Sequence, residues 1–128
     1  LNESISFATD FAESPFLVFA DPALFRQVFI NLFTNAEQAM PDAGAITVTG
    51  ISSPEGETII SVSDTGCGID EADKAKVFDA LHTTKTGGVG LGLSLCRDIL
   101  QRHDGTIRIE SGSNVGAQIV MTLPKKKT

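Results

Sequence analysis

The chain has 128 residues, 41% of them hydrophobic and 20% charged. That length and composition fit one ordinary globular domain, residues 1–128, with a core of its own. Ten basic against sixteen acidic side chains give a formal charge of −6, which argues against a general nucleic-acid binder. No apolar run reaches the roughly 18 residues of a membrane span, and no leader peptide is expected. We therefore expect no membrane contact from this segment. Leu1 stands where a Met would, so a segment of a longer protein is expected. Cys67 and Cys96 form neither a disulfide framework nor a zinc-site spacing. Both thiols are expected free, in a reducing, cytoplasmic compartment, with Cys96 a small buried apolar group. Lys125-Lys126-Lys127 reads as a solubilising tail.

In chain order, Ser4 to Phe11 and Phe16 to Phe19 read as strands broken at Ser14-Pro15. A helix is expected from Pro22 to Met40. Asp21 can cap it by accepting from a free N–H of the first turn, and Pro22 suits the first helical position. At about 100° per residue, an arc of roughly 180° collects Leu24, Phe25, Val28, Phe29, Leu32, Phe33, Ala36, Ala39 and Met40. Asn31 falls at the edge of that arc and Asn35 inside it, so these i, i+4 neighbours aim their amides at one spot. Two readings stay open there. The pair are core amides bonded to backbone, or their oxygens face a ligand or a hard cation such as Mg²⁺.

Pro41 to Gly44 is a turn. Ile46 to Ile51 alternates as a half-buried strand, Pro54 to Glu57 connects, and Thr58 to Ser63 is the next strand, running into Asp64. Asp64-Thr65-Gly66-Cys67-Gly68-Ile69 then pairs a strand-end carboxylate with two glycines that let backbone come close to a ligand. Taken alone, these residues read more simply as a plain turn with a capping Asp. Asp70, with Asp73 three residues on, opens a short helix ending near Phe78. Asp79 to Val89 is an aperiodic loop with several hydroxyls, Lys85, and His82, which reads as simply exposed. Gly88-Val89-Gly90-Leu91-Gly92-Leu93-Ser94 feeds a helix running to about His103, with Leu91, Leu95, Ile99, Leu93, Cys96 and Leu100 as its apolar face. A glycine-rich turn at a helix start suits an anion, though a loop hinge explains it too. Thr106 to Ser111 and Ala117 to Leu123 are two further strands around the Gly112–Gly116 turn, and Pro124 stops the last. The order β, β, α, β, β, short α, loop, α, β, β predicts an α+β two-layer sandwich, a mixed and mostly antiparallel sheet with helices on one face.

Four signals occur in a fixed order. They are Asn31 to Ala36 on a helix, Asp64 to Gly68 after a strand, Phe78 after a short helix, and Gly88 to Leu93 opening another. In this order they resemble the catalytic ATP-binding domain of sensor histidine kinases, in the GHKL superfamily with its Bergerat fold. The resemblance covers essentially the whole chain. Thr83-Thr84-Lys85 beside a short glycine loop resembles the nitrogen-regulation and oxygen-sensor branch.

The resemblance implies ATP and Mg²⁺ as ligands. Asp64 would accept from the adenine amino group, with Gly66, Gly68 and Ile69 beside the ring. Asn35, helped by Asn31, would hold Mg²⁺ on the phosphates. Gly88, Gly90, Leu91 and Gly92 would form lid and phosphate cradle, and Thr83, Thr84 and Lys85 would touch the terminal phosphates. It also implies that the γ-phosphoryl group goes to a His on a separate dimerisation hairpin, with a response regulator downstream. The only histidines here, His82 and His103, lie in a loop and at a helix end. We therefore expect a catalytic domain without its phosphoacceptor and sensor domains, belonging to a parent whose membrane anchoring is a separate matter.

Two departures stand out. Ala80-Leu81-His82 replaces the branch's Pro-Phe-Phe, which bears on lid packing, and Gln38 stands where many relatives carry Lys or Arg. Two neighbouring classes differ at testable places. GHKL ATPases carry a Glu four residues before the metal-binding Asn, and here that position is Asn31, which is no base. The other class is a non-catalytic nucleotide-binding module or an anti-sigma kinase, which would phosphorylate Ser.

Overall fold

The computed structural model describes residues 4–12, 18–40, 43–66, 89–110 and 116–125. Its elements are β1 (Ile5–Phe11), α1 (Pro22–Ala39), β2 (Gly44–Ser52), β3 (Thr58–Asp64), α2 (Val89–Arg102), β4 (Thr106–Glu110) and β5 (Gln118–Leu123). The strands form one sheet in the order β1-β2-β3-β5-β4. β1 runs parallel to β2, while the β2–β3, β3–β5 and β4–β5 pairs are antiparallel. This is the expected mixed, mostly antiparallel sheet. The short helix expected after Asp70, with Phe78, and the loop carrying His82 lie outside the described residues.

The period-2 pattern of β2 drives Ile46 and Val48 into the core and leaves Thr47 and Thr49 half-buried. Ile60 and Val62 of β3 and Ile119, Met121 and Leu123 of β5 continue that apolar face. From α1 come Phe25, Val28, Leu32 and Ala36, with Met40 at its end. From α2 come Leu93, Cys96, Ile99 and Leu100. Full burial of such a side chain contributes about 1.5–3 kcal/mol, so this common face holds the two helices on the sheet. Phe29 and Phe33 are only half-buried and stack on each other at 5.8 Å, with Phe33 meeting Phe7 of β1 edge-on at 5.3 Å.

Both helices end as their sequences dictate. Asp21 Oδ1 accepts from Leu24 N at 3.0 Å, with Pro22 opening α1. α2 closes with Asp104 at φ 58° and Gly105 N donating to Leu100 O at 2.8 Å, the six-to-one bond of a Schellman cap. A Cβ on Gly105 would sit 2.6 Å from the Thr122 carbonyl oxygen, so α2 turns into β4 at a glycine.

Two sequence expectations need correction. Val18 and Phe19 are not strand. Val18 and Ala20 instead line an apolar cavity of about 310 Å³ with Phe11, Pro22, Phe25, Phe29, Val48 and Ile60. Phe16 and Leu17 lie outside the described residues. Leu95 is not core. It is 42% exposed, because the face of α2 turned to α1 is set by Gly92, Cys96 and His103.

Candidate functional site

The end of β3 is held on three sides. Asp64 N donates to Ala117 O at 2.9 Å and Thr65 N to Ala45 O at 3.2 Å. Thr65 Oγ1 accepts from Ala45 N at 3.0 Å and donates to Met40 Sδ at 3.4 Å. One threonine thus ties the end of β3 to the start of β2 and to the end of α1. Asp64 Oδ1 accepts from Gly66 N at 2.8 Å and from Ala117 N at 3.3 Å. The first of these is an Asx turn, so the capping reading of Asp64 is correct for one oxygen. The other, Oδ2, has no partner among the described residues. A half-buried carboxylate with one oxygen fixed by backbone and one open is a directed acceptor.

Gly66 has a reason of its own. A Cβ there would lie 2.6 Å from the Ala39 carbonyl oxygen. Gly116, at φ +67°, is tighter still, since a Cβ there would fall on the Asp64 carbonyl oxygen. These glycines allow three backbones to converge beside Asp64.

Along α1 the candidate residues follow in single helical steps of four. Asn31 Nδ2 donates to Gly92 O of α2 at 3.3 Å, and its Oδ1 accepts from Gln27 Nε2 at 3.0 Å. Asn35, half-buried, has no side-chain hydrogen bond among the described residues. Ala39 abuts Gly66. At 1.5 Å per residue, the first turn of α2 and the Asp64 turn stand about 12 Å apart along α1, with Asn35 midway. The two asparagines therefore divide the two readings of the sequence. Asn31 is an amide bonded to backbone, and Asn35 is open.

Cys96 is fully buried beneath this line, its thiol pointing at Val28 O at 3.7 Å. Burial pushes the thiol pKa up to about 11, against a small lowering from a hydrogen bond to Asn31. It is a neutral packing group and not a nucleophile. Among the described residues no group of three His, Cys, Asp or Glu side chains could hold a metal. A cation here would rest on amide and ligand oxygens, which is the chemistry of Mg²⁺.

The structure thus brings together Asn31, Asn35, Asp64, Gly66 and Gly92. The backbone of Gly90 and Leu91 lies in the first turn of α2. Gly68, Ile69, Thr83, Thr84, Lys85 and Gly88 lie outside the described residues. Sequence reasoning missed Thr65, Gly116, Ala117 and Gln27. Gln27 carried a usable signal, being one turn before Asn31. The others act through contacts far apart in sequence.

Over residues 20–127 the chain matches the family described as histidine kinase-, DNA gyrase B-, and HSP90-like ATPase. It is 40% identical over 105 residues to the signal transduction histidine-protein kinase AtoS of Escherichia coli (strain K12), covering 82% of this chain and 17% of AtoS. The chain therefore spans less than a fifth of that relative. It superposes on the catalytic domain of histidine kinase ThkA with a TM-score of 0.84 at 36% identity, covering 95% of this chain and 80% of that one. ThkA in complex with response regulator protein TrrA gives a TM-score of 0.80 at 33% identity, over 95% of this chain and 34% of that one. The open carboxylate at the end of β3, the amides of α1 and the glycine-rich start of α2 are thus set in a shared framework, and the chain belongs to the histidine kinase-, DNA gyrase B- and HSP90-like ATPase family, among the catalytic domains of histidine kinases.

Proposed function

We propose that this chain binds Mg-ATP and acts, as one domain spanning residues 1–128 on the cytoplasmic side, as the catalytic domain of a two-component kinase, donating the γ-phosphoryl group to a His on a separate helical hairpin. The observation that carries this is the line along α1. An open carboxylate oxygen at Asp64, an unpartnered amide at Asn35 and the glycine-rich first turn of α2 follow one another over about 12 Å, the order of base, cation and phosphates in an extended nucleotide.

Each residue has a defined task in that reading. Asp64 Oδ2 accepts from the exocyclic amino group of adenine, with Oδ1 held by Gly66 and Ala117 so that the carboxylate cannot turn away. Guanine presents a carbonyl there, and the mismatch leaves two acceptors facing each other. Asn35 offers an amide oxygen to Mg²⁺, which when bound neutralises charge on the phosphate oxygens. The start of α2 supplies free backbone N–H groups and a favourable dipole to the phosphates. The parts given to Gly68, Ile69, Thr83, Thr84, Lys85, Gly88, Gly90 and Leu91 rest on the family resemblance. In the transfer, an imidazole nitrogen of the acceptor His bonds to Pγ, the bond from Pγ to the β–γ bridging oxygen breaks, ADP leaves, and the imidazole gives up one proton. The acceptor lies on another domain, and Asn31 in place of a Glu leaves water without a base. The domain alone should therefore turn over ATP far below about 10 per second. The ThkA complex supports a response regulator as the downstream partner.

The test adds a phosphoacceptor hairpin of a close relative in trans, with labelled ATP. Acid-labile label on its His is expected, weak because no linker raises the effective concentration. Rapid phosphate release by the domain alone, or label on Ser, would overturn the assignment.

A further inference from the structure

We propose that Asn31 is a positioning residue and not a cation ligand. Its side-chain amide latches the first turn of α2 onto α1 and so sets the gap between Asn35 and the phosphate-facing backbone of α2. The inference rests on the nucleotide reading above and refines it.

The amide is oriented by its partners. Gly92 O can only accept, so the NH₂ of Asn31 must face it, at 3.3 Å. The oxygen is thereby turned the other way, onto Gln27 Nε2 at 3.0 Å on the same helix. Rotating that oxygen towards a cation would place it against the Gly92 carbonyl and break both bonds. Gly92 itself packs here, since a Cβ on it would stand 3.7 Å from Asn31 Cγ. A second tie sits one turn along α2, where the Cys96 thiol reaches Val28 O at 3.7 Å. Asn35, one turn further along α1, has none of this and remains free to coordinate.

The experiment uses Asn31→Ala, Asn31→Asp and Gln27→Leu. Hydrogen exchange of the ligand-free proteins is read over Leu93 to Cys96, with β2 and β3 as the reference for global stability. ADP affinity is measured by calorimetry with Mg²⁺ and with EDTA. A latch gives about tenfold faster exchange at the start of α2 in both Asn31 variants, with the sheet unchanged. It also weakens ADP by one common factor with and without Mg²⁺. Asn31→Asp is the sharper variant, because a carboxylate cannot donate to Gly92 O yet would serve a cation better than an amide. Gln27→Leu, which spares the Gly92 bond, should leave α2 exchange near wild type. If Asn31→Asp binds Mg-ADP as well as wild type, the latch is wrong. Loss of ADP affinity in Mg²⁺ alone, or unaltered α2 exchange in Asn31→Ala, overturns it as well. Should one variant fail to fold, the other still decides. If wild type binds no ADP, the nucleotide reading fails while the exchange result still judges the latch.

Discussion

The two ends of α1 treat their polar groups in opposite ways. At the start, Asp21 caps the helix through Leu24 N, and Asp21 N donates to His103 Nε2 at 3.0 Å. Because Nε2 accepts, Nδ1 carries the ring proton and donates to Ile99 O at 2.8 Å. The imidazole also stands edge-on to Phe25 at 5.0 Å. Both ring nitrogens are used, and the residue bolts the end of α2 to the start of α1. At the other end, Asp64 keeps one oxygen open and Asn35 keeps its whole amide open among the described residues. A half-buried polar group left without a partner is disfavoured by desolvation, and the proposed nucleotide site rests on these two groups. His103 would draw attention in any scan for catalytic residues, yet its saturation assigns it to the scaffold.

The sharpest way to break this contrast is to damage the scaffold under the open end. Gly116→Ala forces a Cβ into the left-handed region and onto the Asp64 carbonyl, which should cost about 2–4 kcal/mol. Urea unfolding measures it, and a loss under 1 kcal/mol would show that the backbones at Asp64 have room to give. Next comes the ligand itself. Asp64→Asn replaces the open acceptor with an amide and should weaken ADP about 10- to 100-fold while narrowing its preference over GDP. Calorimetry with the two nucleotides decides, and an unchanged preference would move the base-reading group elsewhere. Asn35→Ala comes third. It should remove most of the Mg²⁺ dependence of ATP binding, and circular dichroism and melting should change little, because no partner among the described residues is orphaned. A Mg²⁺ dependence of wild-type size would return Asn35 to the scaffold.

The same contrast explains what the sequence reveals and what it hides. The cap at Asp21, the apolar arc of α1 and the alternation of β2 are legible because their partners lie within a few residues. The Asn31–Asn35 pair is visible as a pair, but its division of labour is not, since it depends on Gly92, 61 positions away. The Asp64 turn is legible as a turn through its glycines. That Gly66 is also there for the Ala39 carbonyl, and that Gly116 guards Asp64 from the far end of the chain, only emerges once β3 and β5 pair. The second half of the strand expected over Phe16 to Phe19, Val18 and Phe19, failed for the complementary reason. Its apolar pattern is real, but Val18 and Ala20 face a cavity, and Phe19 is 62% exposed. Periodicity shows which side chains seek cover, and a cavity wall covers them as well as a sheet does, a choice no local pattern encodes.

The smallest effect, and the cleanest control, is Asp21→Ala. The substitution removes the side-chain acceptor for Leu24 N but keeps the backbone N–H that donates to His103 Nε2. Only the cap is lost, at about 1 kcal/mol. Asp21→Asn, whose oxygen can still accept from Leu24 N, should recover most of it. Because the start of α1 lies about four helical turns from Asn35, ADP affinity should stay within about twofold of wild type in both variants. Melting and calorimetry on the same samples separate the two quantities. If Asp21→Ala were to weaken ADP tenfold while costing only its cap, the saturated end and the open end would be coupled along α1, and the division between scaffold and site would have to be redrawn.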